Sequence, residues 1–142
     1  MEDLLLHFTN TLDLSLKKIN QDVGDRLGFA RLTIHQLQYI DAIYQLGEPS
    51  ITEIAERLKI TKASVTTGVN KLLHMGYITK TQSSEDRRVY HVSLTDAGRQ
   101  LVQAKYQALH EYGEFIRSAL SEDEARQFEA TIAKLVRLFG QS

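Results

Sequence analysis

Residues 52–74, TEIAERLKITKASVTTGVNKLLH, leave the chain few ways to fold. Ile54, Ala55 and Leu58 share one face of a short helix, and Val65, Val69 and Leu72 share one face of a second. Only Lys59-Ile60 and a capping threonine separate the two. Thr52 and Thr61 each precede an apolar-periodic run, and a threonine hydroxyl can take up an orphan amide at a helix start. Two helices joined this tightly must cross and share a core, which is a helix-turn-helix. Ala55 is small where two helices have to approach closely. Gly68 lies inside the second helix at a cost of about 1 kcal/mol against alanine, so close packing or a slight bend is expected there.

The second helix, expected over 62–74, has an unusual outer face. At about 100° per residue, Ala63, Thr67 and Asn70 point away from the Val65–Val69–Leu72 stripe, flanked by Lys62, Ser64, Thr66 and Lys71. No acid occurs between Glu56 and Glu85, whereas an ordinary solvated helix carries Glu/Lys pairs. The free amides and positive dipole end at its N-terminus also suit an anion. The whole chain has net charge −1. Residues 52–94 nevertheless hold seven Lys/Arg against four Asp/Glu. A basic centre between acidic flanks fits one nucleic-acid-facing surface, although on charge alone a chance fluctuation accounts for it equally well.

The remaining residues build around this pair. Residues 3–22 read as a helix with Leu5, Phe8, Leu12, Leu16 and Ile19 on one stripe, widened by Leu4, Leu6 and Leu14. A helix this apolar packs against something large, such as another subunit. Gly24 and Gly28 suggest a loop or short turn over 23–32. Thr33-Ile-His-Gln36 forms a capping box opening a helix whose buried face is Leu37, Ile40, Ile43 and Tyr44. Gly47 ends it, and Glu48-Pro49-Ser50 is a turn. Gly76 stops the helix-turn-helix. Residues 77–82 and 89–94 read as paired strands joined by a polar tip, 83–88. Thr95 caps a long helix over 96–119. Ser121 and Glu124 form a second capping box that starts a last helix ending at Gly140.

The fold class is therefore mainly α with a small antiparallel β-hairpin wing: a winged helix-turn-helix flanked by terminal helices. No apolar run reaches the roughly 20 residues of a membrane span, and MEDLLLHF lacks the basic start of a signal peptide. With no cysteine, disulfides and Cys-ligated zinc are excluded, and a cytoplasmic protein is expected. No nucleophile elbow, phosphate loop or paired-carboxylate motif supports catalysis, so neither an enzyme nor a bound cofactor is expected.

Asp86-Arg87-Arg88-Val89-Tyr90-His91-Val92-Ser93-Leu94-Thr95-Asp96-Ala97-Gly98 resembles the wing signature of the MarR family of bacterial transcription regulators, Asp-x-Arg followed by an apolar strand and Leu-Thr-x-x-Gly. Leu32-Thr33-x-x-Gln36, Ile54-Ala55-Glu56-Arg57-Leu58 and Leu72-x-x-x-Gly76-Tyr77-Ile78 are similar to further family motifs. The resemblance implies one domain over 1–142, with 1–22 and 100–142 as dimerisation helices and 33–98 as the DNA-binding region. It implies a homodimeric repressor of a pseudo-palindromic double-stranded DNA operator, with 62–74 as recognition helix and 77–94 as wing. Lys62, Ala63, Ser64, Thr66, Thr67, Asn70 and Lys71 would face the major groove. Arg87 and Arg88 would work from the wing tip, Arg88 entering the minor groove and Asp86 orienting it by a charge-assisted hydrogen bond. Relatives usually carry a larger apolar residue at position 68, and many helix-turn-helix units use glycine where this chain has Lys59.

The family often responds to a small-molecule effector, an aromatic or amphipathic acid or an acyl group. Phe8, Leu12, Phe29, Leu37, Tyr44 and Phe115 could line such a pocket, or could simply be core. Two alternatives stay open. His110-Glu111-x-x-Glu114 with His7 or His35 is the one candidate metal constellation, although no metal is expected. A winged helix that binds protein and not DNA would need exposed aromatics or aliphatics on 62–74, which that face lacks.

Overall fold

A computed structural model describes residues 1–27 and 32–140. Its elements run α1 (Glu2–Leu27), α2 (Ile34–Leu46), α3 (Ile51–Leu58), α4 (Lys62–His74), β1 (Ile78–Gln82), β2 (Tyr90–Leu94), α5 (Asp96–Ser118) and α6 (Glu122–Gly140). The chain forms two compact units, Met1–Tyr106 and Gln107–Ser142, and their boundary falls within α5.

The first unit is built on aliphatic side chains from six elements. Ile40 and Ile43 of α2, Ile54 of α3, Val65, Val69 and Leu72 of α4, Ile78 and Val92 of the hairpin, and Val102 of α5 are all sealed from solvent. No polar or charged residue is buried among the described residues. β1 and β2 pair antiparallel, from Ile78 opposite Leu94 to Gln82 opposite Tyr90. The inner edge of β2 takes a further partner. The Val92 N–H donates to the Pro49 carbonyl (2.9 Å), and Ser50 bridges His91. The turn before α3 is thereby fixed to the hairpin.

Three expectations need correction. α1 does not give way to a loop at residue 23 but continues through Gly24 to Leu27. One glycine costs only about 1 kcal/mol, too little to stop a long helix. The rest of the expected loop, 28–31, lies outside the described residues. The cap of α3 is Ser50 and not Thr52: the Ser50 hydroxyl accepts the Glu53 N–H at 3.2 Å. Its bridge to His91 already holds Ser50 in the extended conformation a cap requires, which leaves Thr52 in the first turn. On α2 the buried face is Tyr39, Ile40, Ala42 and Ile43. Leu37 is only half-buried, and Tyr44 lies outside, its ring tilted against that of Tyr106 at 5.7 Å. The face is rotated because the Tyr39 ring packs on α4.

The second unit is a helical hairpin of residues 107–118 and α6. Ser121 caps α6 as expected. The Ser121 backbone N–H (2.8 Å) and hydroxyl (2.9 Å) both donate to the Glu124 carboxylate and hold its pKa below the ordinary value. Ala125 is its buried contact, while Ile132, Leu135, Val136, Leu138 and Phe139 are exposed. In the first unit, Leu4, Leu5, Leu6, Phe8, Leu12, Leu14 and Leu16 of α1 are exposed as well. Among the described residues no helix is long and apolar enough to cross a membrane.

Candidate nucleic-acid interface

The turn into α4 is made by Lys59, whose backbone is left-handed at φ 54°. A lysine does here what many such turns give to glycine. Thr61 then caps α4: its hydroxyl accepts the Ser64 N–H (3.2 Å) and donates to the Ser64 hydroxyl (2.9 Å). Val65, Val69 and Leu72 turn inward, each at 0% exposure. Lys62, Ala63, Ser64, Thr67, Asn70 and Lys71 are exposed, and Thr66 is half-buried. Thr66 and Thr67 donate their hydroxyl protons to the Lys62 (2.9 Å) and Ala63 (3.1 Å) carbonyls. With those protons engaged, the two threonines offer a ligand their methyl groups and acceptor lone pairs. An open groove at the end of α4 is lined by Gln36, Thr67, Asn70, Lys71, His74 and Met75.

The wing tip is held by short polar contacts. The Ser83 hydroxyl accepts the N–H groups of Glu85 (3.2 Å) and Asp86 (3.3 Å), and Gln82 donates to the Arg87 carbonyl (2.7 Å). Asp86 grips Arg88 three times. The backbone N–H (3.0 Å) and Nε (3.1 Å) donate to Oδ1, and Nη2 (3.1 Å) donates to Oδ2. The Arg88 side chain and then its backbone N–H hold the Asp86 pKa below the usual carboxylate value. The arginine remains 90% exposed despite this grip, so its direction is set while its cation stays accessible. Arg87 is exposed. Lower on the wing, Lys80 places its ammonium 4.5 Å from the Tyr90 ring centroid, a cation–π contact.

The Leu-Thr-x-x-Gly motif ties the wing to the helices. The Thr95 hydroxyl donates to the Gly76 carbonyl (2.6 Å) and accepts the Gly98 N–H (3.2 Å), while the Thr95 N–H donates to the Tyr77 carbonyl (3.0 Å). A Cβ at position 98 would lie 2.3 Å from that same Tyr77 oxygen, so only glycine fits there. The end of α4, the start of β1 and the start of α5 meet at one threonine.

Sequence reasoning missed Tyr39. Its buried ring lies against Gly68, and its hydroxyl donates to the Ser64 carbonyl at 3.2 Å. Burial raises its pKa. The available signal was Gly68 itself, since a glycine beside a helix's apolar stripe marks a large group opposite. Lys105 and Asp41, a half-buried ion pair joining the middle of α5 to α2, carried no local signature.

The residues suggested for an effector pocket do not all fall in one unit. Phe8, Leu12 and Tyr44 are roughly half exposed, and Leu37 is half-buried. Phe115 belongs to the second unit, exposed beside Tyr112. Phe29 lies outside the described residues. A groove within the second unit is lined by other side chains, among them His110, Arg117, Phe128 and Ile132. Among the described residues no three His, Asp or Glu side chains converge as a metal site would require.

The MarR family model matches residues 32–90, from the cap of α2 to the start of β2. The chain is 32% identical over 126 residues to the HTH-type transcriptional regulator PapX of Escherichia coli, spanning 87% of this chain and 76% of that protein. It is 27% identical to the HTH-type transcriptional repressor MdtR of Bacillus subtilis, over 96% of this chain and 88% of that protein. The fold is similar to the crystal structure of Streptococcus pneumoniae FabT in complex with DNA, with a TM-score of 0.84, 23% identity and coverage of 99% and 97% of the two chains.

Proposed function

This chain belongs to the MarR family, whose members are transcriptional regulators and not enzymes, and on that premise we propose that it is a cytoplasmic homodimeric repressor. It reads a pseudo-palindromic operator with α4 in the major groove and the wing beside it. Lys62, Ala63, Ser64, Thr66, Thr67, Asn70 and Lys71 meet the major groove, and Arg87 and Arg88 the backbone and minor groove. Asp86 aims Arg88 without touching DNA. The observation that carries this reading is a helix face free of acids combined with an exposed arginine already held in a fixed direction. A fixed guanidinium loses less rotamer entropy on binding than a free one, and a narrow A·T-rich minor groove attracts it.

Dimerisation is supported by the exposed apolar rows of α1 and α6. Two recognition helices about 34–36 Å apart would then enter successive major grooves. An effector, such as an aromatic or amphipathic acid or an acyl group, would favour a dimer of different helix spacing, a shift between two states.

The test is titration of the DNA upstream of its own gene at several salt concentrations. The expected result is a saturable complex that outcompetes random duplex and weakens steeply as salt rises. Equal affinity for upstream and random DNA would overturn the reading.

A further inference from the structure

We propose that Tyr39 and Gly68 form a positioning lock that sets the depth and rotation of α4, and through it the protein's discrimination between operator and random DNA. The inference rests on the DNA-reading role proposed above. It concerns two residues that touch no DNA themselves.

Gly68 lies mid-helix between Val65 and Leu72. A Cβ added there would stand 2.4, 2.7 and 3.0 Å from three carbons of the Tyr39 ring. Ordinary carbon–carbon contact is about 3.5–4.0 Å. Any side chain at 68 must therefore push ring and helix apart by roughly 1 Å or more. The same tyrosine donates its hydroxyl to the Ser64 carbonyl (3.2 Å), one turn earlier on α4. That carbonyl is also the one an α-helix pairs with the Gly68 N–H. Ring and hydroxyl thus hold the two ends of one turn, and the outward residues of that turn are Ser64 and Thr67. Burial of Tyr39 and the lack of any other atom on Gly68 leave the contact little slack.

The consequence follows from the geometry of recognition. Base-edge hydrogen bonds tolerate only a few tenths of an ångström before they weaken, and they carry the sequence information. Phosphate contacts from flexible lysines such as Lys62 and Lys71 survive a displacement of 1 Å. Disturbing the lock should therefore reduce specific binding and leave the salt-dependent non-specific term in place.

The experiment uses a duplex selected by the wild-type protein from a random pool, with scrambled duplex as reference. Four variants are compared with wild type: Gly68→Ala, Tyr39→Phe, Tyr39→Leu, and Tyr39→Leu with Gly68→Ala. Thermal unfolding is recorded for each. Gly68→Ala is expected to lose tenfold or more of the selected-to-scrambled affinity ratio, with scrambled binding and its salt slope unchanged. Tyr39→Phe, which keeps the ring and drops one hydrogen bond, should lose a few-fold. The double variant should recover much of the ratio lost by Gly68→Ala, because the smaller side chain makes room for the methyl group. A Gly68→Ala variant that is folded and discriminates like wild type overturns the lock alone. If Gly68→Ala does not fold, full discrimination in Tyr39→Phe together with no recovery in the folded double variant overturns it. A wild-type protein that selects no sequence overturns the DNA-reading role and the lock with it.

Discussion

α4 and α1 both carry apolar side chains at three- and four-residue steps, yet they meet opposite fates. In α4, Val65, Val69 and Leu72 are fully buried by the chain's own α2, α3 and hairpin. In α1, seven large apolar side chains from Leu4 to Leu16 are exposed, Leu4 at 70% and Leu14 at 68%. Scattered exposed leucines are normal, whereas a contiguous row is not. The difference lies in the amount of apolar surface. The α4 stripe is one residue wide and matches one core. The α1 stripe is widened by Leu4, Leu6 and Leu14 beyond what a single packing face takes up. The winged helix-turn-helix thus covers its own apolar stripe within one chain, whereas α1 leaves its stripe open.

The most damaging change to the self-contained half is Leu72→Ala. It should lower the unfolding free energy by roughly 2–5 kcal/mol, measured by urea denaturation, because a fully buried leucine leaves a cavity. A loss below about 1 kcal/mol would mean that α4 is less firmly seated than its burial indicates. The next effect tests the other half. Leu5→Asp combined with Leu12→Asp should raise the dimer dissociation constant at least hundredfold, about 2.7 kcal/mol, read by sedimentation equilibrium. It should also remove the dependence of the wild-type thermal midpoint on protein concentration. A wild-type chain that sediments as a monomer at roughly 100 times the concentration used for DNA binding would break the comparison, since mass action would then show no partner for α1.

The sequence exposes the two halves unequally. The order of elements, the Thr33, Thr61, Thr95 and Ser121 caps and the inner stripe of α4 were legible, because each is decided by neighbours within about four residues. What was hidden depends on partners distant in sequence. Ser50 displaces Thr52 as a cap because of His91. Tyr39 replaces Tyr44 in the core because α4 lies on that side and Gly68 leaves room for its ring. α1 runs on past Gly24 because one glycine costs a long helix only about 1 kcal/mol. In the wing, the Asp86–Arg88 spacing was legible as a pair. The double use of the Thr95 hydroxyl, which explains its spacing to Gly98, emerged only once Gly76 was placed beside it.

The smallest expected effects lie in the wing and sharpen the comparison further. Arg88→Ala should weaken operator binding by about 1–3 kcal/mol and lower the salt slope, measured by the same titration. A dimer loses two such arginines and the Leu5→Asp/Leu12→Asp chain only one. The free-energy loss should therefore roughly halve in the disrupted variant if each reading half acts independently. Asp86→Asn should cost less, because it frees Arg88 without removing its charge. The pH dependence separates aiming from charge. The folded pKa of Asp86 is lowered by Arg88, so the carboxylate and its grip persist above the ordinary carboxylate range. They are lost only as pH falls through that lowered value. Wild type and Asp86→Asn should therefore keep a constant affinity ratio from about pH 5 to pH 8. A ratio that drifts inside that window would show that some group other than Asp86 directs the arginine, and the wing would then no longer count as complete within one chain.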